Sequence, residues 1–524
     1  MPGKGKVELK PVDALSPAAV ELRAENLLAM GSVTFHLSDN YLSLHRHIRY
    51  YIRINGVLIN NIMKKNIFIS LVFSILISEP ITAQTKANNP FGNALIPDMI
   101  ADASIQEIEG MFYCYATTDG YGQGLETSGP PVVWKSNDFV HWSFEGTYFP
   151  SAMKEKYWAP SKAIFANGKY YIYPTINGYM YPAVSNNPEG PFKLARGKDE
   201  FHKPFTSSTL LQTKDPGGID AEVFIDDDGQ AYIFWGRRHV AKLGKDMITV
   251  DSVTQIITTL RKEYSEGPIF FKRKGIYYYL YTIGGDEKYQ YAYVMSKTSP
   301  MGPFEYPEQD IISTTNYERG VFGPGHGCVF NPEGTDDYYF AYLEFGRRST
   351  NRQTYVNRLE FNEDGTIRPV DLTLEGVGAL RKIKQEKKLK TDTVYASSIS
   401  APLNIEPMKD PSCRRTEYFI PAFAIDGANG SRWMAADQDK ENWIIADLGT
   451  AKKVHRSEVY FVRPTAGHAY LLEGSADGKV WQVCGGHEDI KMQSPHIDTP
   501  NKKYRYLRIK ILKGIAGIWE WNIH

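Results

Sequence analysis

The chain has 524 residues, and 60 lysines plus arginines balance 60 aspartates plus glutamates. A formal net charge of zero gives no electrostatic basis for a nucleic-acid partner, and the length allows two or three domains. Aromatics make up 13 % of the chain, with 34 tyrosines, while helix-period patterns are scarce and Gly, Pro, Asn and Asp punctuate it often, which describes a mostly β protein.

Residues 63–83 read as a secretory leader. Basic Met63-Lys64-Lys65-Asn66 precedes the apolar run Ile67–Ile77, and Ile81-Thr82-Ala83-Gln84 places a small residue at a cleavage point after Ala83. The run is short for a membrane span, so the mature chain is expected to have no integral membrane segment and to be secreted or periplasmic. Met63 then becomes the natural start, with residues 1–62 an upstream extension. The alternative is a cytosolic extension with a buried helix over 67–78.

From residue 84 to 380 one pattern recurs: a turn, then an aromatic strand. Gly110–Tyr115 reads GMFYCY, Asn167–Tyr173 NGKYYIY, Asp228–Phe234 DGQAYIF, Lys274–Tyr281 KGIYYYLY and Asp336–Tyr342 DDYYFAY. The marker tyrosines 113, 171, 232, 278 and 339 are spaced by 46 to 61 residues, a period that suits propeller blades. Asn187-Pro188-Glu189-Gly190-Pro191-Phe192 and Ser299-Pro300-Met301-Gly302-Pro303-Phe304 form a second repeat. Five copies imply a five-bladed β-propeller. The clearest blade is 217–236, where Val223 and Ile225 alternate, Asp228-Gly229 turns the chain, and Ala231, Ile233 and Trp235 alternate again. The run Asp226-Asp227-Asp228 reads as a turn, since the alternating ligand pattern of a calcium loop is incomplete.

Three acids stand just ahead of strand pairs in different blades: Asp102, Asp220 in Gly218-Ile219-Asp220, and Glu266 in Glu266-Gly267-Pro268. Equivalent positions of successive blades converge on the axis, so these carboxylates are expected to meet. Each acid alone fits a turn or a surface charge equally well. Three in register are expected to be catalytic, because like charges sharing a pocket separate a protonated acid from an ionised base. That division of labour suits hydrolysis of a glycosidic bond.

With these blocks, residues 89–370 resemble glycoside hydrolase family 43. The opening Asn89-Pro90 and Ala101-Asp102-Ala103-Ser104 carry the likeness, although Ala103 stands where the family usually has proline. The resemblance implies Asp102 as general base, Glu266 as general acid, Asp220 as the residue that orients and tunes that acid, and inversion of configuration. It further implies Trp158, in Trp158-Ala159-Pro160, and Arg352, in Asn351-Arg352-Gln353, as substrate-side residues. His326, in Gly323-Pro324-Gly325-His326-Gly327, would sit at the axis. Arabinofuranosyl or xylosyl linkages in plant-type polysaccharides or oligosaccharides are the expected substrates. A galactan-acting member of the family and a non-catalytic sugar-binding propeller are the alternatives; the three retained acids argue against the second.

Residues 381–393 are lysine-rich without an apolar period and read as a linker. From 394 to 524, Phe423-Ala424-Ile425-Asp426-Gly427, Ser431-Arg432-Trp433, Trp443–Gly449 and Glu473–Gly478 resemble a discoidin-like (factor 5/8 type C) module, a β-sandwich of jelly-roll type shared by carbohydrate-binding modules. The fold class is therefore all-β, a five-bladed propeller followed by a β-sandwich. The resemblance implies Asp426 and Glu520 as ligands of structural calcium, with a second calcium place at the propeller centre. No organic cofactor is expected. Trp433 and Trp443 fit core and sugar-stacking positions equally, and the module is expected to fold independently. Cys114 and Cys328 read as small buried residues, while pairing of Cys413 with Cys484 is left open.

Overall fold

The computed structural model describes residues 92–119, 129–149, 156–195, 218–236, 238–250, 255–346, 351–382, 386–436 and 441–524, together with the backbone of a short hairpin, Ile52–Ile54 with Val57–Ile59. The chain divides into two units, Met1–Gln84 and Thr85–His524. The leader expected at 63–83 and, apart from that hairpin, the extension at 1–62 lie outside the described residues. So do Asn89 and Pro90.

Five antiparallel sheets follow in chain order, and each is one blade. Blade 1 is Ile100–Ile108, Met111–Thr118, Val132–Ser136 and Ser143–Thr147; blade 2 is Ile164–Ala166, Lys169–Ile172, Ala183–Ser185 and Lys193–Leu194. Blade 3 is Glu222–Ile225, Ala231–Trp235, His239–Lys242 and Gln255–Ile256; blade 4 is Ile269–Arg273, Ile276–Ile283, Gln290–Ser296 and Ile311–Ser313. Blade 5 has three strands, Gly325–Phe330, Tyr338–Glu344 and Gln353–Leu359. All five marker tyrosines fall on the second strand of their blade, where tyrosine fits a pleated surface packed on both sides. Blade-to-blade packing is largely aromatic; Phe234 of blade 3 stacks on Phe270 of blade 4 with centroids 4.1 Å apart.

The segment ahead of blade 1 closes the ring against blade 5. The Leu95 amide donates to the Thr354 carbonyl (2.9 Å), and the Asn93 side chain both donates to Val356 O (3.0 Å) and accepts from Val356 N (2.7 Å). Asp226 and Asp227 both receive the Lys272 ammonium at 2.7 Å, and Asp226 accepts the Tyr277 hydroxyl at 2.8 Å. The acidic turn thus pins blade 3 to blade 4.

Within the second unit the C-terminal module is a β-sandwich. One sheet has five strands, with Asn442–Val454 and Lys502–Lys513 at its heart; the other has four, centred on Gly517–Ile523 and Ser457–Phe461. Their inner faces enclose Trp433, Leu448, Leu472, Leu507, Ile509 and Trp521. Trp433 is therefore core, whereas Trp443 is half-buried and lies edge-on to Tyr395. Lys502–Lys513 is the penultimate strand. All four cysteines are free, and Cys413 packs with Ile405 of its own module and with Phe322 and Phe345 of the propeller. The module lies directly on the propeller: Arg415 grips buried Glu344 at 2.6 and 2.9 Å, and Met99 packs with Tyr460, Val462 and Trp519. Among the described residues the only helical pieces are short 3-10 turns, and no helix is long and apolar enough to cross a membrane.

Candidate active site

Residues on or just ahead of the inner strands of blades 1, 3, 4 and 5 come together at the axis. In blade 1 the ladder slips between Ala101 and Ser104, so Asp102 sits in a bulge with φ 52°. Asp220, two residues ahead of blade 3, is also left-handed at φ 61°, and its amide donates to the Thr175 hydroxyl (3.0 Å). Such conformations cost non-glycine residues energy and cluster at functional sites. Glu266, ahead of blade 4, is held through its backbone. Its amide donates to Thr282 Oγ1 (3.1 Å), and its carbonyl accepts from that hydroxyl (2.7 Å) and from Thr282 N (3.0 Å).

Gly267 explains the spacing of the Glu-Gly-Pro block. Its φ is +64°, and a β-carbon there would lie 3.0 Å from Cγ of the His326 imidazole. Only glycine permits both the turn and the ring. Its amide points to Asp220 Oδ2 at 3.4 Å, linking the acid's own peptide to the neighbouring carboxylate. His326 Nδ1 is 4.0 Å from Asp102 Oδ1 and 3.8 Å from Asp220 Oδ2. Blades 1, 3, 4 and 5 thus converge within one small volume.

Electrostatics single out Asp220. Burial pushes its carboxyl up to about 7; Glu266 and Asp102 add to the rise, while His326 opposes it. Arg352 lies just ahead of the outer strand of blade 5 and is buried. Its Nη1 reaches Asp102 Oδ1 (3.4 Å), whereas Nη2 and the backbone amide hold Asp119 at 2.8 and 2.6 Å. Its partners are therefore Asp102 and Asp119. Burial pushes the Asp119 carboxyl up against the pull of that guanidinium.

Trp158 pairs in register with Thr175, the residue that receives the Asp220 amide. Its indole Nε1 is buried and finds no acceptor among the described residues. Sequence reasoning missed two members of the site. Asp119 directly follows the second strand of blade 1, and asking for the counter-ion of Arg352 would have found it. Tyr289, which donates its hydroxyl to Glu266 Oε1, carries no motif signal.

Two places were expected to suit calcium. At the axis, Lys162 Nζ lies 3.4 Å from buried Glu222 and donates to Val329 O (2.8 Å), so an ammonium already serves that carboxylate. Among the described residues no group of three or more His, Cys, Asp or Glu is disposed to hold a metal. In the C-terminal module, burial pushes Asp426 up to about 6 and Glu520 up to about 8, with Asp426 adding to the rise at Glu520. Two mutually repelling buried carboxylates are the hard-oxygen donors that calcium takes. Lys388 Nζ stands 3.4 Å from Glu520.

An inner ring of three acids, an imidazole and an arginine at the mouth of a five-bladed propeller defines a glycosidase class of site. The family model for glycosyl hydrolases family 43 matches residues 91–367, and that for the F5/8 type C domain matches 407–522. A β-D-galactofuranosidase of Aspergillus niger is 31 % identical over 323 residues, covering 56 % of this chain and 89 % of its own. An arabinoxylan arabinofuranohydrolase of Paenibacillus polymyxa is 26 % identical over 402 residues, covering 63 % of this chain and 61 % of its own. A solved structure described as a glycoside hydrolase is 83 % identical, with TM-score 0.81, and covers 83 % of this chain and 100 % of its own. The chain belongs to glycosyl hydrolase family 43 and is a glycosidase acting on O-glycosyl bonds of polysaccharide substrates.

Proposed function

We propose that the chain is an inverting glycosidase that removes arabinofuranosyl or xylosyl units from plant-type polysaccharides or their oligosaccharides. The observation that carries this reading is that three carboxylates from three different blades come together, Asp102 and Asp220 facing His326 and Glu266 close enough to Asp220 to help raise its carboxyl. Asp102 takes a proton from water on one face of the sugar, and Glu266 gives a proton to the leaving oxygen on the other. Inverting pairs stand about 6.5–9.5 Å apart to admit that water. Arg352, whose Nη1 lies 3.4 Å from Asp102 Oδ1, holds the base in place. Asp220, bonded to the peptide after Glu266, orients the acid and responds to its charge. Trp158, in register with Thr175 beside Asp220, joins His326 and Arg352 on the substrate side of the site.

A second reading takes β-D-galactofuranosyl units as the substrate, and the 31 % identity to the galactofuranosidase favours it. A panel of aryl arabinofuranosides, xylosides and galactofuranosides separates the two, with NMR of the first-formed anomer testing inversion. Retained configuration overturns the mechanism.

Export through the leader at 63–83, giving a mature N-terminus near Gln84, is part of the proposal and is tested by N-terminal sequencing of secreted protein. So is structural calcium held by Asp426 and Glu520. Bound calcium supplies positive charge between the two carboxylates. A rise in Tm with calcium that is absent in Asp426→Asn supports this, and no rise overturns it.

A further inference from the structure

Residues 284–289 of blade 4 join its second and third strands through a single 3-10 turn, Asp286–Lys288. Tyr289, immediately after the turn, donates its hydroxyl to Glu266 Oε1. That bond makes Oε1 an acceptor and leaves Oε2 for the proton that goes to the leaving group. The position of this loop therefore sets how Glu266 is presented.

The loop is held from the C-terminal module. Glu287 is 1 % exposed, and its carboxylate accepts backbone N–H bonds from Met408 (3.3 Å), Lys409 and Asp410 (2.6 Å). These residues open the stretch matched by the F5/8 type C model. Lys409 Nζ adds an ion pair to Asp286 (3.1 Å) and a bond to Gly285 O (3.3 Å), and the Tyr317 hydroxyl secures Asp410 at 2.6 Å. A buried carboxylate that accepts several amide bonds is a strong, directional anchor.

We infer that Glu287 is a positioning residue for the proton donor: by gripping 408–410 it fixes Tyr289 against Glu266 and makes the C-terminal module a working part of the catalytic site. The inference rests on the reading of Glu266 as the acid. It also replaces the expectation of an independent module, because the grip is lost when 408–410 are removed.

The test is steady-state kinetics of the full chain on aryl glycosides of graded leaving-group pKa. Glu287→Gln keeps the shape but sets an amide against three N–H donors. It should lower kcat about tenfold to 100-fold on poor leaving groups, with activated ones far less affected and KM nearly unchanged. Tyr289→Phe should give the same leaving-group slope, and the double variant should be no worse than Tyr289→Phe alone. A lowered Tm with an unchanged slope, or additive losses, overturns the inference. Lys409→Ala, at an exposed side chain, should shift the slope in the same direction by a smaller amount. If Glu287→Gln does not fold, an unchanged slope in Lys409→Ala overturns the inference. Glu266→Gln is measured alongside: if it shows no leaving-group dependence, the acid assignment itself fails. If only Glu266→Gln shows dependence, the role of Glu287 alone is lost.

Discussion

The molecule buries ionisable groups in two quite different ways. At the propeller axis, Asp102, Asp220, Glu266 and His326 come from four blades, and burial, reinforced by the neighbouring Glu266 and Asp102 carboxylates, drives the Asp220 carboxyl up to about 7. In the β-sandwich, His468, His487 and His496 come from three strands, with His468 and His496 packed on Phe461 and His487 stacked on His496. His487 Nε2 and His496 Nδ1 are 2.8 Å apart, and the His468 ring lies parallel to Phe461 at 4.6 Å. Burial pushes His468 down to about 4 and, with its histidine neighbours, His496 down to about 3. The sandwich resolves its conflict by keeping the buried rings neutral. The axis retains its conflict, and a proton that moves easily among carboxylates is what glycosidic hydrolysis needs.

The contrast is broken most severely at the axis. Asp102→Asn removes the base and is expected to cost about 10²–10⁴-fold in kcat on every substrate. Glu266→Gln should cost as much on natural linkages and much less on activated aryl glycosides, which need little protonation. Identical leaving-group dependence for the two variants would show that acid and base have been misassigned. Next in size is Asp119→Ala, which strands the buried Arg352 guanidinium beside Asp102. Breaking a buried pair from one side costs about 3–5 kcal/mol, read as a lowered urea midpoint. A variant as stable as the wild type would mean that Asp119 does not support the site.

The sandwich should reveal itself through pH. A histidine whose folded pKa lies below the ordinary 6.5 stays neutral in the native state, whereas the unfolded chain takes up the proton. The stabilisation is therefore complete above pH 6.5 and is lost as pH falls towards about 4 for His468 and about 3 for His496. The loss is on the order of 3 kcal/mol. His468→Phe preserves the stack on Phe461 and should flatten this acid limb in a series of thermal melts. An equally steep limb in the variant would assign the acid sensitivity elsewhere.

The same contrast explains what was legible in the sequence. Blade strands announce themselves because a turn followed by an aromatic strand repeats, and the axial acids because each sits at the same place in that repeat. Glycine at 267 is legible for the same reason, since backbone shape demands it. Asp119, Tyr289 and Glu287 belong to no repeat. Their roles arise from contacts across 233, 23 and up to 123 residues of chain, and no local pattern encodes those distances. The histidine cluster is hidden in the same way, because its members lie on separate strands that only the sandwich brings together. Docking of the module on blades 4 and 5 was equally invisible: a lysine-rich segment reads as a spacer whatever the surfaces beyond it do.

The smallest effect is expected where acids are most densely written in the sequence. Asp226, Asp227 and Asp228 stand in a row, yet the structure spends them on a turn, with Lys272 and Tyr277 of blade 4 satisfying the first two. Asp227 is largely exposed, so solvent screens its share of the pair. Lys272→Met removes the ammonium and keeps an apolar stem over the Tyr277 ring, which the lysine nitrogen approaches to 4.6 Å. Surface pairs of this kind contribute about 0–1 kcal/mol, so Tm should fall slightly and kcat on any glycoside should stay unchanged. A large loss of activity without a loss of stability would mean that this acidic turn communicates with the axis, and that counting charges is a better guide to this site than asking which of them converge.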